Sequence, residues 1–134
     1  MGKIRILAII FAVALMASCA STIKFPISQV TPAADITAKI KQDNNNNYII
    51  EITALNLSAA SRLNPPKNNY SVWVLVGNGE TKNVGQLNHE NAEKAFLKTV
   101  TPFEVKEIFI TAEEQGNLAY PAGVEISRIT INDK

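Results

Sequence analysis

The chain has 134 residues, with 13 Lys plus Arg against 12 Asp plus Glu and a formal net charge of +1 at pH 7. This balance, without a basic stripe or an acidic run, argues against a nucleic-acid partner and against a charged tail. Cys19 is the only cysteine, which excludes a disulfide or a multi-thiolate metal site within the chain.

The first eighteen residues have the pattern of a secretory signal peptide. Lys3 and Arg5 give a positive start, and residues 6–17 are apolar throughout. Such a short apolar run is typical of a signal core, whereas a membrane-spanning helix needs about 20 apolar residues. Removal of residues 1–18 leaves eleven basic and twelve acidic side chains, and a remainder of ordinary size for one domain.

The signal ends in Leu-Met-Ala-Ser-Cys at residues 15–19, which resembles the lipobox of bacterial lipoproteins. Met16 stands where that family most often has leucine. The resemblance implies cleavage between Ser18 and Cys19, an S-diacylglyceryl group on the Cys19 thiol and an N-acyl group on its new amine. Multiple acyl chains hold a protein stably at a membrane, whereas one chain does so only marginally. The alternatives are an ordinary signal cleaved elsewhere, for instance after Ala20, and a cysteine buried in the fold.

The remaining chain divides into a short tether and one domain. Residues 19–33 contain two prolines and no sustained period, which predicts a lipidated tether. Residues 34–134 show repeated period-two alternation, which predicts strands. We expect about seven, at residues 36–41, 48–57, 70–76, 81–87, 95–100, 107–112 and 123–131.

Turn signals separate these predicted strands. Residues 43–47 are Asp and Asn and predict a hairpin loop, and Asn78-Gly79 is the preferred pair for a tight primed turn. Residues 58–69 predict a long connection between two sheets. In the last strand the apolar positions change face, which predicts a bulge or a strand end near Arg128. Together these signals predict an all-β protein, a single small antiparallel β-sandwich of the immunoglobulin-like kind.

From residue 70 onward the sequence resembles the extracytoplasmic C-terminal domain of anti-sigma-K factors. The similar segments are residues 70–75, 77–80, 84–87, 108–113 and 120–123. The resemblance implies a small sandwich facing the envelope. Because those factors reach the cytoplasm through a spanning helix, and residues 34–134 contain no apolar stretch of that length, we expect no direct binding of a sigma factor.

Candidate catalytic and metal-binding residues are few. His89 is the only histidine and Glu90 follows it, but adjacent side chains on a strand point to opposite faces and rarely chelate together. Glu113 with Glu114, and Glu104 with Glu107, are the carboxylate pairs that an acid and base mechanism would need across a cleft. We expect solvated strand ends instead, and therefore no catalytic residue, no metal and no cofactor.

Five aromatic residues allow two interpretations. They would form either part of the core, which strand positions flanked by Val and Ile favour, or a binding platform. We expect mostly core. The residues are Tyr70, Trp73, Phe96, Phe103 and Phe109.

The sequence thus predicts a non-catalytic lipoprotein anchored to a membrane through Cys19. Where the source has two membranes, we expect the periplasmic face of the outer membrane. The loops at residues 58–69 and 113–120 are the predicted contacts for an envelope protein or cell-wall partner, because loops on a rigid scaffold commonly carry binding. The alternatives are a component of anti-sigma-type signalling and an unrecognised envelope hydrolase.

Overall fold

A computed structural model describes residues 20–131, which form nine strands, one turn of 3₁₀ helix at Ala60–Arg62 and no α-helix. The strands are β1 Ser21–Lys24, β2 Asp35–Gln42, β3 Tyr48–Leu55, β4 Asn69–Val76, β5 Thr81–Gln86, β6 Asn88–His89, β7 Lys94–Thr101, β8 Val105–Glu113 and β9 Val124–Thr130. They make two antiparallel sheets, ordered β1-β2-β3-β7-β6 and β5-β4-β8-β9. Neither sheet closes into a barrel, and the predicted small β-sandwich is confirmed.

Alternating residues explain how the sheets pack. On β2 the side chains of Ile36, Ala38 and Ile40 are buried, and those between them are not. On β4, residues 70–74 are all buried, as expected of a central strand covered on both faces. The inward-facing side chains of the two sheets join one apolar core, whose largest members include Tyr70, Ile50, Ile52, Ile108, Ile110, Val72 and Val74.

Antiparallel pairing places the connections at two ends of the sandwich. One end, called here the Ser21 end, carries the start of β1, the β2–β3 loop at residues 43–47, the β4–β5 turn at 77–80 and the β7–β8 connection at 102–104. The other end, called the distal end, carries the connections at residues 25–34, 56–68 and 90–93 and both ends of the β8–β9 loop at 114–123.

The structure differs from the predicted tether, because the fold begins at Ser21. β1 pairs with β2, and the Phe25 N–H donates to Ile36 O at 2.9 Å. Phe25 is 3% exposed, and Ser127 Oγ donates to Pro26 O at 2.8 Å. A four-residue strand is too short to show alternation, which is why the sequence pattern did not reveal it.

Most turn predictions are close to the structure. Residues 43–47 form a hairpin loop, in which Asp43 N–H donates to Asn47 O. The register shift in β9 leaves Ile126 without a partner between Glu125 and Ser127, so the bulge lies two residues before Arg128. In the β4–β5 turn the Val76 N–H donates to Glu80 O, which encloses residues 77–79 with Gly79 at φ 90°. The turn is therefore longer than the tight primed turn predicted at Asn78-Gly79. The extra strands relative to prediction are β1 and β6.

Candidate functional site

The predicted signal peptide, its cleavage site at Ser18 and Cys19, and the lipid attachment at Cys19 lie outside the described residues. Ala20 is exposed, and the chain enters the first sheet at Ser21. Among residues 20–131 no helix has the length and apolar character to span a membrane.

The two loops predicted to contact a partner meet in the structure. The Asn68 N–H donates to Glu113 O at 2.9 Å, and Asn68 Nδ2 donates to Glu114 O at 2.7 Å. Lys67 Nζ lies 3.9 Å from Glu114 Oε1. The connection at residues 56–68 is therefore fastened to the start of the β8–β9 loop.

The β8–β9 loop then runs back across the outer face of the second sheet. Asn83 Nδ2 on β5 donates to Leu118 O at 3.0 Å, and farther along the loop Ala119, Tyr120 and Pro121 face the start of β5. This path explains why Trp73, on the outward-facing side of β4, is 0% exposed. No sequence pattern predicts such a cover, because a loop without periodicity shows neither its path nor its partner.

The Glu113 carboxylate accepts the hydrogen bonds that connect this covered face to the loop. Its side chain is buried, at 1% exposure. Thr111 Oγ1 donates to Glu113 Oε2 at 2.6 Å, and the Ala122 N–H donates to the same oxygen at 3.1 Å. Trp73 Nε1 donates to Thr111 Oγ1 at 2.8 Å. The resulting chain of hydrogen bonds links β4 and β8 to the far end of the loop, which satisfies polar groups that would be costly to bury alone.

Aromatic and charged side chains extend this face toward β9. The Trp73 and Phe109 rings are stacked, with centroids 6.3 Å apart, and the Arg128 guanidinium lies 4.0 Å from the Phe109 centroid. Arg128 also pairs with Glu125 and with Glu107, each at 2.7 Å. The hydrogen bond to Glu125 contributes most to raising the pKa of Arg128 above its ordinary value.

The outcome for the five aromatic residues is mixed. Tyr70, Trp73 and Phe109 are buried, as predicted, although Trp73 and Phe109 lie on the outer face of the second sheet and not between the sheets. Phe96 is half-buried, and Phe103 is 43% exposed. No common platform of all five forms.

A groove of about 600 Å³ lies between the β8–β9 loop and β5. Thr81, Lys82 and Asn83 form one wall, and Tyr120 with Pro121 forms the other. Tyr120 is 76% exposed, although it is a large aromatic side chain. The groove combines hydrogen-bonding groups with an apolar wall, a composition suited to holding a ligand or peptide in place.

The carboxylates raised as acid and base candidates were expected to be solvated strand ends, and this expectation is wrong for Glu113. Glu113 is buried, whereas Glu114 is exposed and faces Lys67. Glu104 pairs with Lys106, and Glu107 pairs with Arg128. Glu113 and Glu114 line the same groove of about 230 Å³, but the Glu113 carboxylate there accepts hydrogen bonds from Thr111 and Ala122. The other three carboxylates form ion pairs.

His89 lies on β6 at the distal end. Its Nε2 is 3.4 Å from Leu57 O, and Glu90 pairs with Lys94 at 3.7 Å. His89 lines two shallow grooves of about 350 and 320 Å³. Within residues 20–131, no group of three or more His, Cys, Asp or Glu side chains is arranged to hold a metal ion.

Comparison with family models, with curated proteins and with solved structures found no match to the chain. The resemblances to the lipobox and to the anti-sigma-K domain stay predictions from the sequence.

Proposed function

We propose that the protein is a lipid-anchored, non-catalytic module of the cell envelope that binds a partner through its two joined loops. The observation that carries this proposal is the contiguous surface made by residues 56–68 and 114–121, fastened together at Asn68. In this proposal Cys19 carries the lipid, and the membrane is the first partner.

Tyr120 is the proposed main contact of this surface and lies at the edge beside the β4–β5 turn. Tyrosine is enriched among residues that dominate binding energy, because its ring buries a large area and its hydroxyl forms a hydrogen bond. An exposed tyrosine that is not used for packing within its own domain is available for such a role. Thr81 and Lys82 across the groove supply polar groups that would orient a bound protein or cell-wall segment.

The anchoring half of the proposal is tested with labelled palmitate in intact cells. The wild-type protein should incorporate the label and fractionate with membranes. The Cys19→Ala variant should lose both properties. Continued labelling of that variant would contradict the lipid assignment.

The binding half is tested with a photo-crosslinking amino acid placed at Tyr120 in living cells. A matched control carries the same amino acid at Lys39, which is exposed on the first sheet. A crosslinked partner should form from Tyr120 and not from Lys39, and Tyr120→Ala should weaken its co-purification from membranes. Equal crosslinking from both positions would refute the proposed surface, and a sigma factor as the partner would favour the signalling alternative.

A further inference from the structure

The linker between Cys19 and the folded domain is very short. Ser21 is already paired with Ile40 in the first sheet, so Ala20 alone separates the sheet from Cys19. Consecutive Cα atoms are about 3.8 Å apart, and two residues therefore span at most about 7 Å. An acylated Cys19 would hold the Ser21 end within this distance of its own Cα atom, from which the side chain and the glyceryl group lead to the acyl chains.

Other parts of the Ser21 end extend beyond the row of Ser21 by about the same distance that separates Ser21 from Cys19. The row of Ser21 continues across the sheet through Ile40, Ile50 and Thr99. The pair formed by Gln42 and Tyr48 lies two residues beyond this row, which is about 7 Å at 3.4 Å per residue. The β2–β3 loop extends farther still. A bilayer that holds the acyl chains of Cys19 therefore lies close to this loop.

The surface at this end is chemically suited to a headgroup layer. In the β2–β3 loop, residues 44–46 are exposed asparagines, which are polar and uncharged. Val100 is 56% exposed and Phe103 is 43% exposed. Aromatic side chains are favoured at the boundary between hydrocarbon and water.

Two ion pairs at this end each balance their own charges, and Lys41 and Asp43 beside the β2–β3 turn carry opposite charges. Glu104 pairs with Lys106, and Glu80 pairs with Lys82, whose Nζ lies 5.3 Å from the Phe103 ring centroid. The absence of a net field from these pairs fits a zwitterionic lipid surface and requires no anionic lipid.

We propose that the Ser21 end rests on the bilayer, with the β2–β3 loop and Phe103 in the headgroup layer and residues 56–68 directed away from it. This inference rests on the proposed acylation of Cys19. It adds an orientation, because a folded domain on a flexible tether would have none. It also places the Tyr120 groove, which adjoins the β4–β5 turn, on the membrane-proximal part of the domain.

The test uses the acylated full-length mature protein in phosphatidylcholine vesicles. Single variants Asn45→Cys, Phe103→Cys, Lys39→Cys and Ser61→Cys carry an environment-sensitive fluorophore, since acylation leaves Cys19 without a free thiol. Ser61 is exposed at the distal end. The length of an eight-residue strand such as β3, about 27 Å, separates the two ends of the sandwich. A nitroxide attached to lipid headgroups then serves as the quencher.

We expect the largest loss of emission from the labels at positions 45 and 103, a smaller loss at position 39, which lies one residue from the row of Ser21, and little loss at position 61. Quenching at position 39 with none at position 45 would mean that the domain lies on the face of its first sheet, and equal quenching everywhere would mean that it tumbles. Either result overturns this inference. If the labels at positions 45 and 103 are protected from solvent in cells but not in vesicles, a protein partner covers this end. That result would also overturn the inference.

Failure of the proposed function is recognised separately. Mass spectrometry of the same preparation reports whether Cys19 is acylated, and the non-acylated Cys19→Ala protein gives the quenching expected without an anchor. Absence of acylation removes the proposed function, whereas acylation with an unshielded β2–β3 loop removes only the orientation. Native Trp73 emission of each variant before labelling confirms that the fold is retained.

Discussion

Glu113 shows how one buried carboxylate can hold a long loop in place. It accepts hydrogen bonds from the Thr111 hydroxyl and from the Ala122 N–H, and its side chain has no ion-pair partner within 4.0 Å among the described residues. Its position predicts a structural role, since both donors belong to the protein itself. The outer face of the second sheet stays covered because this carboxylate joins β8 to the end of the β8–β9 loop.

Replacement of Glu113 should therefore destabilise the domain. Glu113→Ala leaves the buried Thr111 hydroxyl and the partly buried Ala122 N–H without their acceptor, which costs roughly 1–3 kcal/mol in the free energy of unfolding. Glu113→Gln should cost less, because the amide oxygen still accepts from the Ala122 N–H. Urea unfolding measures both. The neighbouring control Glu114→Ala removes an exposed side chain and should change the free energy of unfolding by less than about 0.5 kcal/mol; equal effects at the two positions would contradict the proposed role.

Tyr70 should make stability sensitive to alkaline pH. Its side chain is buried, its hydroxyl donates to Ser58 O, and burial raises its pKa to about 12 from 10.0. The unfolded state thus loses the phenolic proton first as pH rises. The contribution is fully present below pH 10 and is lost as the pH rises toward 12, with a slope of up to about 1.4 kcal/mol per pH unit.

The comparison of wild type with Tyr70→Phe isolates this contribution. The free energy of unfolding of the wild type should fall more steeply than that of Tyr70→Phe between pH 10 and 12. Tyr120→Phe, which alters an exposed phenol, should follow the wild type. Parallel curves for wild type and Tyr70→Phe would show that the Tyr70 phenol is not the group responsible.

At the scale of elements, β5 depends on a backbone conformation that suits glycine. Its register with β4 shifts so that Val84 has no partner, and Gly85 has φ 136°. The Gly85 N–H donates to Asn83 Oδ1 at 2.9 Å. A Cβ atom at this position would lie 3.1 Å from Leu97 Cδ1, so both backbone strain and crowding oppose a side chain there.

Gly85→Ala should lower the free energy of unfolding by about 1–3 kcal/mol, the usual cost of holding a side chain in a sparsely populated backbone conformation. Gly77→Ala is the matched control. Its Cβ would make an ordinary 3.7 Å contact with Glu104, and Gly77 has no strained φ. Chemical denaturation of both variants decides the matter, and a cost at Gly77 equal to that at Gly85 would disprove this explanation.

The elements differ in how well the sequence predicts them. β2 and β4 were predictable, because alternation in β2 and the apolar run in β4 follow directly from burial on one face or on both. β1 and β6 were not, since strands of four and two residues are too short for a period. The bulge in β9 was predictable because Ile126 and Ile129 are both buried but lie an odd number of residues apart.

The candidate site was predictable only in part. Residues 58–69 and 113–120 were recognised as loops from composition, but their mutual attachment depends on Asn68 and Glu114, which are 46 residues apart. The groove at Tyr120 depends on the path of the β8–β9 loop, which is fixed by single hydrogen bonds such as that of Asn83 to Leu118 O. Contacts of this kind leave no periodic pattern in the sequence.

At the scale of the whole molecule, the segment next to the proposed anchor is built into both sheets. β1 belongs to the first sheet, while the Pro26 carbonyl accepts a hydrogen bond from Ser127 in the second. Phe25 lies between these two attachments and packs in the common core. A force on the lipid would therefore act on the folded domain directly.

The segment should consequently be required for stability, which distinguishes it from a tether. Phe25→Ala removes a core side chain that is 3% exposed and should cost about 3–5 kcal/mol in the free energy of unfolding. Ile27→Ala, two residues away, alters a side chain that is 75% exposed and should cost less than about 0.5 kcal/mol. Emission of Trp73, the only tryptophan, follows the unfolding of both variants in urea. If residues 20–33 served only to connect the lipid to the domain, both substitutions would leave the unfolding curve unchanged, and so would deletion of the whole segment.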